Sequence, residues 1–476
     1  MKDIKRNQNS KAKAFLTVML TNIIWVFLPA SGFAQQYISL KDALQRSVVN
    51  YGTVLAKKSY AQASQRSVIK ARLDYLPNVN LSSEISYGTA NGQNGPSYSF
   101  GPAGIASGGL PLASQNWNAT FGSLFLTNIN WDFFAFGRSR QNIRSAEAVA
   151  HRDETDVQQE TFQLQVRVAA TYLNLLAAQR LVASYQKNLD RADTLRKIIV
   201  TKAKHDLVAG VDSSQANADV SNAKNILLRA KGAVDEQNKK LIDYLAMAPE
   251  NILTDTLFIA KLPDVIPYSV DSVRYRHPLL DFYNSRVLLS DQQARYYRTL
   301  SYPTFTLGTA FLTRGSGFAN SYSAQQPNYT RNFSDGVNFD RSNYVVAVGV
   351  TWNLTSPFRV KQQVRSQRLI SEGLKYEEDQ VQKELNSQLS LADSKLKNAV
   401  AEYYESPVQV KAATDAYQQK MVLYRHGLTS LVDVQQTLYA LVRAETDRDI
   451  AYTNVWQAVL LKAGATGDFS IFYKNL

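Results

Sequence analysis

Residues Arg138 to Lys204 run for 67 positions without a Gly or a Pro. From Val157 onward, apolar or small residues recur at alternating spacings of three and four: Thr161, Leu164, Val168, Thr171, Leu175, Ala178, Val182, Tyr185 and Leu189. That spacing predicts one packed helical seam. A second seam, Phe162, Val166, Ala169, Leu173 and Leu176, fills a neighbouring face, so the helix is expected to have partners on both sides. At about 1.5 Å per residue it would extend roughly 100 Å, far beyond an ordinary globular helix.

The stretch occurs twice. Trp131 and Trp352 stand 221 positions apart, and at the same offset Arg138 meets Arg359, Gln141 Gln362, Arg144 Arg365, Ser145 Ser366 and His205 His426. Leu207 and Leu428, Val211 and Val432, Asp212 and Asp433, and Gln215 and Gln436 continue the series without a gap. This is an internal tandem duplication, and its ungapped register requires the two long helices, 138–204 and 359–425, to have equal length. Gly373 and Pro407 fall inside the second, where the Pro is expected to kink or loosen it.

Ahead of each long helix the chain changes period. Val79, Leu81, Ile85 and Tyr87 alternate with polar residues after Pro77, and Trp117, Phe121, Phe125, Ile129 and Trp131 alternate with Asn118, Thr120, Asn128 and Asn130. Strands are predicted at 78–88 and 117–132 and, in the second copy, at 304–314 and 343–354. An apolar face with Trp at its ends, backed by a polar face, suits a strand between lipid and water, with Trp117, Trp131 and Trp352 as membrane-interface aromatics. About ten residues suffice for a tilted strand to span a bilayer.

The first copy therefore reads, over 35–248, as a helix from Ser39 to Tyr75, two strands around a Gly/Ser/Asn-rich loop, the long helix, a tip at 205–211 and a return helix at 212–247. A linker at 249–270 leads to the second copy, 271–464. There a helix from Ser272, two strands and the long helix are followed by a tip at 426–432, a helix at 433–463 and a tail at 465–476. Residues 1–34 read as a signal peptide, with five cations ahead of the apolar run Ala14 to Leu28 and small residues before Gln35.

Composition removes several function classes. The formal charge of +13 falls to +9 once the leader is set aside, and the remaining Lys and Arg are interspersed with Asp and Glu. No basic stripe with stacking aromatics appears, so no nucleic-acid partner is expected. With no Cys there is neither a disulfide frame nor a thiolate metal site, and the four His lack ligand spacing. No catalytic constellation, metal or cofactor is expected. The aromatics, 26 Tyr and 20 Phe against four Met, suit membrane-interface girdles.

Asp212 and Asp433 each stand at a predicted helix start with a Gln three residues on, a capping-box spacing. The tips Leu207, Val208, Ala209 and Gly427, Leu428, Ser430 place small and apolar residues at the ends of the helical pairs.

On the doubled order of helix, strand, loop, strand, long helix, tip and helix, the chain resembles the TolC-like outer-membrane efflux proteins. The junctions Leu76-Pro77 and Tyr302-Pro303, the tip Leu207-Val208-Ala209 before Val211-Asp212, and the tip Tyr424, Gly427 and Leu431 to Gln435 carry the same likeness. The resemblance implies an α+β membrane protein forming a homotrimer, with four strands per chain in one 12-stranded transmembrane β-barrel continuous with a periplasmic α-helical coiled-coil tunnel. It implies a passive exit duct of a tripartite efflux pump or type I secretion system in the bacterial outer membrane. A periplasmic adaptor (membrane fusion) protein and an inner-membrane transporter would dock at the tips, and outer-membrane lipid would surround the barrel. Asp212 would bond Tyr424 to close the periplasmic entrance, and Asp433 would form an acidic ring. Gln436 and Thr429 replace a second acidic position and an Arg of the family, which implies a looser entrance. An exported structural coiled-coil protein and a general porin are the competing readings. The first needs no alternating strands, and the second does not explain two long helices.

Overall fold

A computed structural model describes residues 36–92, 109–256, 258, 261–263, 277–325 and 328–475. The expected signal peptide, the middle of the first long loop and residues 271–276 at the start of the second copy lie outside them. The described elements are β1 (Gln36–Ile38), α1 (Leu40–Asn50), α2 (Gly52–Leu73), β2 (Asn78–Thr89), β3 (Ala119–Phe134), α3 (Arg138–Lys204), α4 (Gly210–Leu245) and β4 (Ile252–Thr254). They continue with α5 (Pro278–Thr299), β5 (Thr304–Ser316), α6 (Phe333–Val337), β6 (Arg341–Thr351), α7 (Ser356–Arg425), α8 (Leu431–Thr466) and α9 (Ser470–Tyr473). No helix among the described residues is long and apolar enough to cross a membrane.

The chain forms two compact units, and they do not coincide with the two sequence copies. One comprises the residues up to Leu55, Glu160–His277 and Glu384 onward; the other comprises Ala56–Gln159 and Pro278–Lys383. Each draws on both copies, because the seams of one long helix are buried by residues of its own copy and of the other together.

The helical unit shows this directly. Leu164, Val168 and Leu175 of the first seam and Ala169, Leu173 and Leu176 of the second are all buried in one core. There they meet Leu241 and Leu245 of α4, Leu396 and Ala399 of α7, and Val455, Trp456 and Val459 of α8. Burying a side chain of this size contributes about 1.5–3 kcal/mol, so the 164–176 stretch of the two seams anchors the middle of the helix.

The segment expected to be a linker contributes to this core. Its β4 pairs in parallel with β1, Ile252 opposite Gln36 and Thr254 opposite Ile38. A two-stranded sheet among helices needs polar partners for its backbone. Gln179 donates to the Ile252 carbonyl at 2.8 Å, and Asn238 accepts from the Ile252 amide at 3.1 Å. The Tyr172 hydroxyl donates to the Ile38 carbonyl at 2.9 Å and accepts from the Asp255 amide at 2.6 Å. Burial drives the Tyr172 pKa strongly upward, so it remains a neutral donor. The expected tail also ends structured, with Phe472 of α9 buried against Trp456.

In the other unit the strands form one antiparallel sheet in the order β2-β3-β5-β6. Asn78 pairs with Asn130, Trp131 with Leu307 and Thr304 with Thr351. Edge strand β6 is exposed throughout and β2 at every residue but Thr89, apolar Leu81, Val346 and Val348 included.

Several expected boundaries move. The first helix divides at Tyr51, whose backbone leaves the helical region while its ring packs edge-on against Tyr244. β3 runs two residues further than expected, because a register shift between Trp131 and Phe134 lets Phe134 pair with Phe305. Trp117 precedes that strand and Trp352 follows β6, so neither lies within a strand. α6 interrupts the second long loop. α7 starts at Ser356 because Pro357, in the first turn, needs no donor. α4 ends at Leu245, where Ala246 takes a left-handed conformation, and α8 runs to Thr466 before Gly467 does the same.

Neither Gly373 nor Pro407 interrupts α7, which is one helix of 70 residues. Pro407 leaves the Tyr403 carbonyl without its usual donor. The Ser406 hydroxyl points to that carbonyl at 3.5 Å and partly replaces the missing donor.

Candidate functional site at the helix tips

Both tips are Schellman turns with the same geometry. At the end of α3 the Leu207 amide bonds the Lys202 carbonyl at 2.9 Å and the Asp206 amide bonds that of Ala203 at 3.2 Å. At the end of α7 the Leu428 amide bonds the Leu423 carbonyl at 2.9 Å and the Gly427 amide that of Tyr424 at 3.1 Å. The residue that must turn left-handed is Asp206 in one copy, with φ +53°, and Gly427 in the other, with φ +75°. Gly adopts this conformation without steric cost and Asp is among the few side chains that tolerate it.

The turns leave matched apolar side chains in solvent. Leu207 and Leu428 are 70% and 72% exposed, and Val211 and Val432 are 71% and 68%. Ala209, Gly427 and Ser430 are exposed with them, whereas Val208 is half-buried. Behind the tips one cluster joins the copies: Leu195 and Ile199 of α3, Ala216 of α4, Met421 and Tyr424 of α7, and Leu431, Val434 and Leu438 of α8, with Val208 packed on it.

The second return helix opens with a capping box. The Ser430 hydroxyl accepts from the Asp433 amide, and the Asp433 carboxylate accepts from the Ser430 amide, each at 3.3 Å. Thr429 adds a 2.6 Å bond to the same carboxylate, and the Lys420 ammonium lies 3.9 Å away. Bonds from Thr429 and Ser430, aided by Lys420, hold the Asp433 carboxyl below the usual carboxylate range. Asp433 is thus the third residue of the box and not the cap itself. Gln436, its expected partner, is exposed.

The first copy has no such box. Ala209 occupies the position of Ser430, and α4 has no side-chain cap. Asp212 lies in the first turn, where its charge still complements the helix dipole. Gln215 bonds Asp219 instead, at 3.2 Å.

The expected bond from Asp212 to Tyr424 does not form within the chain. Tyr424 is 4% exposed and its hydroxyl has no hydrogen-bond partner. Burial, with a smaller contribution from the Asp212 charge, raises its pKa. Lys202 holds this residue instead: its ammonium donates to the Tyr424 carbonyl at 2.9 Å and the Arg425 carbonyl at 3.3 Å, and lies 4.7 Å from the Tyr424 ring centre.

Two further polar ties escape the sequence reading. Asp219 of α4 accepts bonds from Gln435 and, at 2.9 Å, from Tyr439 of α8. Arg191 of α3 grips Glu445 of α8 through two bonds of 2.7 and 2.8 Å. Burial alone would raise the Glu445 pKa, but the paired bonds from Arg191 outweigh it and the net shift is downward.

The three tryptophans expected at the membrane interface occupy the sheet unit. Trp131 Nε1 donates to the Tyr75 carbonyl at 2.9 Å and Trp352 Nε1 to that of Ser301 at 3.1 Å, each acceptor two residues before the junction proline. The duplicated Trp fastens strand to helix in both copies. Trp117 is 80% exposed.

Residues 43–246 match the sequence profile described as outer membrane efflux protein. Over that stretch the chain is similar to the outer membrane efflux proteins. Curated proteins give no significant match by sequence. Among solved structures, CusC superposes with a TM-score of 0.75 at 12% identity, covering 93% of this chain and 95% of that one. The CmeC outer membrane channel of Campylobacter jejuni gives 0.72 at 14% identity, with 90% and 85% covered. The outer-membrane channel OprN gives 0.71 at 16%, with 90% and 89% covered. The α+β fold of these channels is therefore that of this chain. The profile over 43–246 and the shared fold are both those of outer-membrane proteins, the former described as efflux proteins and the latter seen in outer-membrane channels.

Proposed function

We propose that three copies of this chain close into one 12-stranded barrel and one helical tunnel, the passive exit duct of a tripartite efflux pump or type I secretion system. The observation that carries this reading is the four-stranded sheet with two exposed edges and exposed apolar side chains. Open edges are not tolerated in hydrocarbon, and about eight strands are the fewest that commonly close a barrel. Identical sheets joined edge to edge satisfy both requirements. Lipid would then cover the apolar face, with Trp117, Trp131 and Trp352 toward its borders.

In this reading the tips receive the periplasmic adaptor protein, through Leu207, Val208 and Ala209 in one copy and Gly427, Leu428 and Ser430 in the other. The inner-membrane transporter then delivers cargo to the entrance. Asp212, Tyr424, Thr429, Asp433 and Gln436 would form that entrance, with one carboxylate ring from Asp433 where the family pattern has two. The unpartnered Tyr424 hydroxyl favours an entrance held by Lys202 and packing rather than by a Tyr-to-Asp bond.

The test is purification with and without detergent, followed by chemical cross-linking. A detergent-requiring trimer that conducts in planar bilayers is expected. Leu207→Glu with Leu428→Glu should keep the trimer and lose cross-links to adaptor. A monomer extracted without detergent would support the exported coiled-coil reading, and unchanged adaptor cross-linking would remove the docking assignment.

A further inference from the structure

Where β3 passes into α3, the surface carries an open cavity of about 550 Å³ that the duct reading leaves without a role. Its walls carry two different chemistries. Tyr75, Phe133 and Phe134 supply aromatic surface, while Arg138, Arg140 and Arg144 supply three guanidinium groups. The aromatic side is fixed: the Tyr75 hydroxyl donates to the Phe133 carbonyl at 3.0 Å, and Trp131 stands edge-on to the Tyr75 ring while donating to its carbonyl.

The cationic side is not neutralised. Arg140 and Arg144 are exposed and make no ion pair among the described residues. Arg138 donates to a carbonyl, that of Tyr302 at 3.3 Å, and its Nε is buried without a hydrogen-bond partner. The acid beside the cavity, Glu147, is already engaged by Arg72 at 2.9 Å. No acidic residue lies in the first turn of α3. Two of the three arginines recur at the other strand-to-helix passage as Arg359 and Arg365, with Lys361 at the place of Arg140, beside exposed Trp352, Leu354 and Phe358.

We propose that this cavity binds an anionic glycerophospholipid of the inner leaflet, the phosphodiester between Arg140 and Arg144 and the upper acyl chain against Phe133 and Phe134. Two planar guanidinium forks match the oxygens of a phosphodiester, and Arg is the side chain best suited to such bidentate contact. A free anion would satisfy the arginines but leave the aromatic wall exposed to water. A lipid headgroup satisfies both, at the level where an aromatic belt meets the interface. Basic pockets in membrane proteins recognise anionic headgroups on this principle. The inference rests on the outer-membrane placement of the sheet.

The test titrates the full-length protein in dodecylmaltoside with dioleoylphosphatidylglycerol or dioleoylphosphatidylcholine, read by native mass spectrometry. The wild type should retain phosphatidylglycerol preferentially. Arg140→Gln with Arg144→Gln should lower its apparent affinity roughly 30-fold, the effect of two cations near an anionic lipid. Arg229→Gln with Lys231→Gln, the same charge change on α4, should leave it unchanged. Equal loss in both double variants, or displacement of the lipid by millimolar inorganic phosphate, would overturn the proposal. If the cavity variant fails to assemble, phosphatidylglycerol carrying an acyl-chain diazirine is cross-linked to the wild type. Labelling within 133–144 is expected, and its absence also overturns the proposal. A chain recovered without detergent would instead count against the outer-membrane reading.

Discussion

Replacing Lys202 with Met tests how the two tips are held together. Its ammonium caps two carbonyls at the C-terminus of α7, at 2.9 and 3.3 Å, and stacks on the Tyr424 ring. Hydrogen bonds to a charged group contribute about 1.5–3 kcal/mol, a cation at a helix C-terminus about 0.3–1, and an exposed cation–π contact about 0.5–1. One half-buried ammonium makes all three, so the contributions overlap, and about 2 kcal/mol is the working figure. That corresponds to roughly a 30-fold increase in local opening. Hydrogen exchange on the trimer should show that loss of protection confined to amides near 424–428. Lys204→Met, an exposed cation at the same helix end, should leave these amides unchanged. Equal effects from the two substitutions, or a loss spread along all of α7, would refute the assignment of Lys202 as the tie. If these turns form the entrance, Lys202→Met should also raise the open fraction in planar-bilayer recordings.

Three further predictions concern stability. Ser430→Ala should destabilise α8 by about 1 kcal/mol, and Ala209→Ser should stabilise α4 by up to a similar amount by supplying the missing cap, both read by chemical denaturation. Because the Asp433 carboxyl titrates below its unfolded range, its stabilisation is complete above about pH 4 and is lost as pH falls through the lower folded value. The tip should therefore loosen in acid in the wild type, and Asp433→Asn should flatten that dependence in exchange measurements; an unchanged slope would assign the acid sensitivity elsewhere. Tyr172→Phe removes the hydroxyl shared by Ile38 and Asp255 and should cost about 1–3 kcal/mol, with exchange at β1 and β4 rising before that of the long helices.

The periodic parts are legible in the residues alone. Both seams of α3, the four alternating strands and the 221-residue repeat are local or self-comparing patterns, and burial of the seams and the antiparallel ladder require nothing beyond them. The matched exposure of Leu207 and Leu428 was legible for the same reason. What holds the tips together depends on how the chain packs in three dimensions. Lys202 corresponds to Leu423, Asp219 to Ala440 and Tyr439 to Ala218, so comparing the copies passes over all three. Where one copy packs on the other, the two surfaces must be complementary rather than alike: a cation meets a carbonyl end, and a carboxylate meets Gln435 and Tyr439. Duplication marks what the copies share, and the contacts joining them lie in the residues by which they differ.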